Sequence, residues 1–318
     1  MSAVSDFTLA LSDLRFVGNE LSRPESVFVD KAGALWTSDS RGGVCRIDAD
    51  GKQTVVGALK GEPNGFYQDA DGSFIVADIA VGKFFTIQPD GTSTVLLDEI
   101  DGKPLGSANF VTRDSKGRLW LTVSTRALPW SQGIIEGRQD GYVVLIDEHG
   151  PRIVADGVNF ANELHFDAAE EYAYVAETMG SRILRYRVGE DGALSEKTVF
   201  GPESLGEGAW VDGFAIDSEG NLWATTVVRN GLVVIEPDGS HHVVFEDVRA
   251  EAVSALVAKV AAGTMQLEDM FPCMGETLRC PTSVVFGGDD LRTVYMGSLA
   301  MPHLLSFRAP VAGLPARR

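Results

Sequence analysis

Hydrophobic and polar positions along the chain repeat one pattern six times. A small or polar residue is followed by an apolar strand, an aspartate, a glycine turn, and a second strand that opens on an aliphatic and aromatic pair. The copies read PESVFVDKAGALWTSD, PNGFYQDADGSFIVAD, ANFVTRDSKGRLWLTV, ANELHFDAAEEYAYVAE, VDGFAIDSEGNLWATT and PTSVVFGGDDLRTVYMGS. In the first five, the second residue lies five positions ahead of the aspartate: Glu25 before Asp30, Asn64 before Asp69, Asn109 before Asp114, Asn162 before Asp167, Asp212 before Asp217. Most copies continue into a third strand, as in GGVCRIDADG, GKFFTIQPDG and NGLVVIEPDG, and close on an Asp-Gly turn suited to a hairpin. Four short antiparallel strands, repeated six times, predict an all-β, six-bladed β-propeller in which residues 1–318 form a single domain.

The steps between aligned positions are 39, 45, 53, 50 and 70 residues, so insertions fall mainly in the later intervals, where specificity loops belong. Residues 124–140 lengthen a hairpin of the third blade. Residues 246–266 carry Val253, Leu256, Val257 and Val260 at i, i+3, i+4 and i+7, which predicts a short amphipathic helical insertion before the last blade.

Charge narrows the functions. With 45 acidic against 27 basic residues the net charge is −18, which argues against nucleic-acid and anionic-membrane partners and permits a cation site. No stretch approaches 18 uninterrupted apolar residues, and the segment MSAVSDFTLALSDLRF has no basic, apolar leader pattern, so a cytoplasmic chain is expected. Cys45, Cys273 and Cys280 have neither disulfide-framework nor metal-ligand spacing and read as reduced thiols.

The innermost strand of each propeller blade runs along the channel, so residues aligned at its start form a ring. That ring reads Glu25, Asn64, Asn109, Asn162, Asp212 and Thr282. Oxygen donors without Cys or His favour a hard cation, and two facing carboxylates in a narrow channel call for a divalent one. Ca²⁺ is the first choice, with Mg²⁺, Mn²⁺ and Zn²⁺ as alternatives. Asn and Asp ahead of a strand also serve as turn residues that bond their own backbone; the shared register across copies is what favours the ring.

The strings PESVFVD, PNGFYQDADG, DGFAIDSEGNLWAT and PTSVVFGGDDLRTVYMGS resemble the SMP-30/gluconolactonase/LRE family, over roughly Pro24 to Phe307. The resemblance implies a six-bladed propeller with a divalent metal on its axis that hydrolyses sugar lactones or, in related propellers, organophosphate esters. It implies Glu25, Asn162 and Asp212 as metal ligands, with Asn109 a direct or water-mediated fourth. The chain departs from the family wording at Ala-Asn-Phe (108–110) and Ala-Asn-Glu (161–163), which bears on the pocket floor and the substrate.

A metal-dependent hydrolase of a lactone or related ester follows, with Asp212 as the catalytic carboxylate that accepts a proton from water or attacks directly. Substrate-lining candidates are Asn64, Arg126 and Trp130 on the third-blade insertion, and Glu177 and Met179 after the second strand of the fourth blade. A phosphotriesterase-like hydrolase, a non-catalytic calcium-binding protein and a strictosidine-synthase-like condensing enzyme are the rivals. The five histidines form no HxxxH or nucleophile-base spacing, His165 reads as a packed core residue, and no GxSxG elbow or P-loop occurs.

Overall fold

In the computed structural model, which describes residues 3–315, the six copies become six four-stranded antiparallel sheets. Blade 1 runs through Val27–Val29, Leu35–Asp39, Gly43–Ile47 and Gln53–Val56, and blades 2 to 5 follow in the same meander, starting at Pro63, Ala108, Ala161 and Val211. Blade 6 is built differently. Its three inner strands, Pro281–Gly287, Thr293–Ser298 and Leu304–Arg308, are completed by Arg15–Val17 from the other end of the chain, with Phe16 opposite Leu305. The innermost strands of neighbouring blades pack beside one another and line the axis.

Strands rich in Val, Ile, Phe and Trp bury both faces because each sheet is sandwiched between two others. Accordingly the core divides into clusters at the blade junctions: Tyr67, Ile75 and Phe84 pack on Val111 and Leu121 between blades 2 and 3, and Trp223 and Leu232 pack on Val284 and Phe286 between blades 5 and 6. The recurrent aspartate explains the recurrent tryptophan. Asp30, Asp114 and Asp217 each accept backbone N–H groups of their own turn and the indole Nε1–H of Trp36, Trp120 and Trp223, all three at 2.9 Å. One carboxylate thus ties the first hairpin of the blade to its second strand.

The predicted helix is shorter than the 246–266 window. Helix α1 spans Ala250–Ala261, buries Val253, Leu256 and Val260, and stops where Gly263 takes a left-handed φ of 65°. A 3-10 segment, Leu267–Cys273, follows. The 124–140 loop and α1 lie on the same side of the molecule as the ring. There Ile134 and Trp130 from the loop join Trp210, Val228 and the apolar face of α1 in one further cluster. The three cysteines are free and buried. Among the described residues no helix is long and apolar enough to cross a membrane.

Candidate metal centre

Ladder pairing breaks at the ring. A register shift falls between Pro63 and Phe66, Ala108 and Phe110, Ala161 and Leu164, Val211 and Phe214, and Pro281 and Val284, so the aligned residues of blades 2 to 6 sit in β-bulges. A bulge leaves a residue unpaired and re-aims its side chain. This is how a strand that buries both faces on neighbouring sheets can direct a polar group along the axis. Glu25, Asn64, Asn109, Asn162, Asp212 and Thr282 are all buried.

Hydrogen bonding sets two of them, Thr282 and Asn64, apart from three others. Thr282 donates to the Glu25 carbonyl, joining blade 6 to blade 1. Asn64 accepts from Arg23 Nη2 at 2.9 Å and donates to the Asn109 carbonyl at 3.2 Å, joining blades 1, 2 and 3. Glu25 Oε2, Asn109 Oδ1 and Asn162 Oδ1, in contrast, are buried side-chain oxygens with no hydrogen-bond partner. A buried acceptor left unsatisfied costs about 1–3 kcal/mol, so three of them at equivalent positions mark a place shaped for something else. Asn162 is oriented for it: its Nδ2 donates to Thr178 Oγ1 at 3.2 Å, and Thr178 donates to the Val211 carbonyl at 2.7 Å.

Burial and neighbouring carboxylates favour the neutral form of both ring carboxyls. Burial, reinforced by Glu163, pushes Asp212 up to about 7 against the opposing pull of Arg23. Burial, then Asp212, and then Glu163 raise Glu25 well above the carboxylate range, with Arg23 again opposing. Two carboxylate groups and two amide oxygens fit a hard divalent cation. Among the described residues no three His, Cys, Asp or Glu side chains gather as a ligand cluster; the candidate set takes half its oxygens from amides.

Among the proposed substrate residues, Arg126 is exposed and lies over the Tyr142 ring at 4.4 Å. Trp130 donates to Glu62 Oε2 at 3.2 Å, and Met179 packs with Trp210 beside α1. Glu177 is buried with its carboxylate engaged by Arg182 Nε at 2.6 Å and the Asn159 N–H at 2.9 Å. It braces the wall of the mouth. Three residues of the site escaped sequence reading. Arg23 and Thr178 have no marked position in the repeat. Glu163 did leave a trace, as the residue that breaks the Pro-Asn-Gly wording. His165 faces the channel, partly exposed, instead of an inter-blade core: it pairs with Glu163 Oε2 at 2.9 Å between the rings of Phe110 and Phe214.

Comparison with known proteins extends this picture. The 6-deoxy-6-sulfogluconolactonase of Pseudomonas putida is 27% identical over 162 residues, 51% of this chain and 46% of the relative. A gluconolactonase from Xanthomonas campestris superposes with a TM-score of 0.66 at 20% identity, covering 94% of this chain and 90% of the other. The calcium-binding protein regucalcin from Agrobacterium tumefaciens gives a TM-score of 0.68 at 16% identity, covering 95% and 96%. At those identities the two structures establish the shared fold. The chain spans about half the length of the curated relatives it matches first. The model of the SMP-30/Gluconolactonase/LRE-like region matches residues 23–271, from two positions ahead of Glu25 to the segment beyond α1. By that match over most of its length, the chain belongs to the SMP-30/gluconolactonase/LRE-like family.

Proposed function

We propose that the chain is a metal-dependent lactonase, a hydrolase that opens a lactone or related ester at a divalent cation held by Glu25, Asn109, Asn162 and Asp212, with Ca²⁺ the first candidate. The observation that carries this reading is the trio of buried, unpartnered oxygens on Glu25, Asn109 and Asn162. A cation bound there supplies Lewis acidity toward the carbonyl oxygen of the ester.

The chain's own residues supply the rest. Asp212 is the general base: its carboxylate accepts a proton as water adds to the acyl carbon, and returns it to the ring oxygen as the acyl–oxygen bond breaks. In the cation-free protein burial lifts this carboxylate from its ordinary value near 3.8 to about 7, and a bound cation would favour its ionised, proton-accepting form. Thr178 holds the Asn162 amide in place. Asn64, locked to Arg23, forms a polar wall, while Trp130 and Met179 offer apolar surface and Arg126, over the Tyr142 ring, an exposed positive charge. Relatives named for lactones support a small-molecule lactone substrate.

The test is a pH-stat assay over γ- and δ-lactones, with a phosphotriester as the contrasting class, before and after exhaustive chelation. Lactone opening should be lost on chelation and restored by Ca²⁺ or Mn²⁺. Full turnover in the chelated protein, or turnover of the phosphotriester alone, overturns the reading.

A further inference from the structure

The position after each ring residue holds Ser26, Gly65, Phe110, Glu163, Gly213 and Ser283 around the six blades. Only one carries a charge. Glu163 is 2% exposed, and its side chain leaves blade 4 to lie against blade 5. There Oε2 accepts the Phe214 N–H at 3.1 Å, inside the same bulge that presents Asp212. Blade 5 makes room by carrying glycine: a Cβ on Gly213 would fall 2.5–2.8 Å from the atoms of the Glu163 carboxylate. On its far side the carboxylate meets His165 Nε2 at 2.9 Å, and that imidazole is wedged edge-on by Phe110 and Phe214, with ring centroids 5.2 and 4.9 Å away. The carboxylate cannot swing out of the channel without displacing these groups.

We infer that Glu163 is a positioning residue of the cation centre, one that does not ligate but places a third fixed negative charge behind Glu25 and Asp212 and thereby sets how tightly a divalent ion is held. This rests on the cation reading above. Oε2 is already engaged by the Phe214 N–H and the His165 imidazole, which turns that oxygen away from a coordination shell. Glu163 nonetheless follows directly on Asn162 and bonds the amide two residues beyond Asp212, so its charge sits beside the ligand set. A third carboxylate beside Glu25 and Asp212 adds negative charge to a buried space, a cost that a bound divalent cation offsets. The same oxygen also anchors the Phe214 amide, so that the charge and the geometry of the Asp212 bulge are held by one side chain.

The test is calorimetric titration of Ca²⁺ and of Tb³⁺ into the chelated full-length protein and into Glu163→Gln, which keeps an acceptor for the Phe214 amide and removes the charge. Loss of an outer-shell partner typically weakens metal binding ~10–100-fold, and the loss should be larger for the trivalent ion, because the Coulomb interaction scales with ion charge. A purely structural role would weaken both ions equally. Glu163→Ser, the residue type of blades 1 and 6, serves as a second variant should the first fail to fold, and should show the same ordering. A wild-type protein that binds neither ion overturns the cation reading itself. Wild-type binding with an unchanged Kd in the variants, equal losses for the two ions, or failure of both variants to fold overturns the role of Glu163 alone.

Discussion

Asp212 is where burial, charge and chemistry meet, and it gives two expectations. Asp212→Asn retains an oxygen for the cation and loses the base, so cation affinity should fall modestly while kcat drops by ~10²–10⁴-fold, the usual worth of general-base assistance. Near-normal kcat with the metal bound would remove Asp212 from the chemistry. The second expectation concerns pH in the chelated protein. A carboxylate raised from about 3.8 to about 7 in the folded state contributes stability that is complete below its unfolded value and is lost as pH rises through the folded one. The Tm of chelated protein should therefore decline from about pH 4 to pH 7 and level off above it, and added Ca²⁺ should restore more of it at pH 8 than at pH 5. Scanning calorimetry of wild type and Asp212→Asn checks this, since the variant should lose the share of the decline that Asp212 contributes and keep that of buried Glu25; a Tm that climbs across the window contradicts the assignment.

Within each blade the stabilising device is the aspartate that closes the first hairpin. Asp217 is fully buried and accepts from the Glu219 and Asn221 amides, Asn221 Nδ2 and Trp223 Nε1. Asp217→Ala leaves several buried donors unsatisfied, so a loss of about 3 kcal/mol is expected, at the upper end of what such groups cost. Asp30→Ala, whose carboxylate holds the same kind of turn with water at hand, should cost clearly less. Urea midpoints of the two variants decide it, and equal losses would show that the tie to tryptophan, not burial, sets the energy. The bulges have the opposite character. They surrender ladder hydrogen bonds at one end of the innermost strands of blades 2 to 6, and in exchange the ring side chains of those blades point where no regular strand would send them.

Closure of the ring of blades depends on residues at opposite ends of the chain. The N-terminal arm buries Val4, stacks Phe7 near Trp223 and Phe307, bonds Leu9 N–H to the Val244 carbonyl on blade 5, and then supplies the outer strand of blade 6. Removing residues 1–17 should cost on the order of 5 kcal/mol from the lost apolar burial. It should also expose the Leu304–Arg308 edge to pairing with other chains; calorimetry and size-exclusion chromatography read both effects, and an unchanged Tm with a monodisperse peak would show that the arm is dispensable. The repeat itself was legible in the amino-acid order, because hydrophobic alternation, Asp-Gly turns and the five-residue offset from Glu25 to Asp30 or Asp212 to Asp217 are local and recur. So were the six ring positions, by register alone. The partners of those positions were not legible: Arg23 on Asn64, Thr178 on Asn162 and Glu163 on the Phe214 amide join groups 16 to 51 residues apart. Nor could spacing show that the 124–140 loop and α1 share one cluster, or that the first strand completes the last blade. Periodicity reports which residues face the same way along one strand, whereas contacts between blades, and the charges they gather in the channel, arise only when six sheets close around an axis.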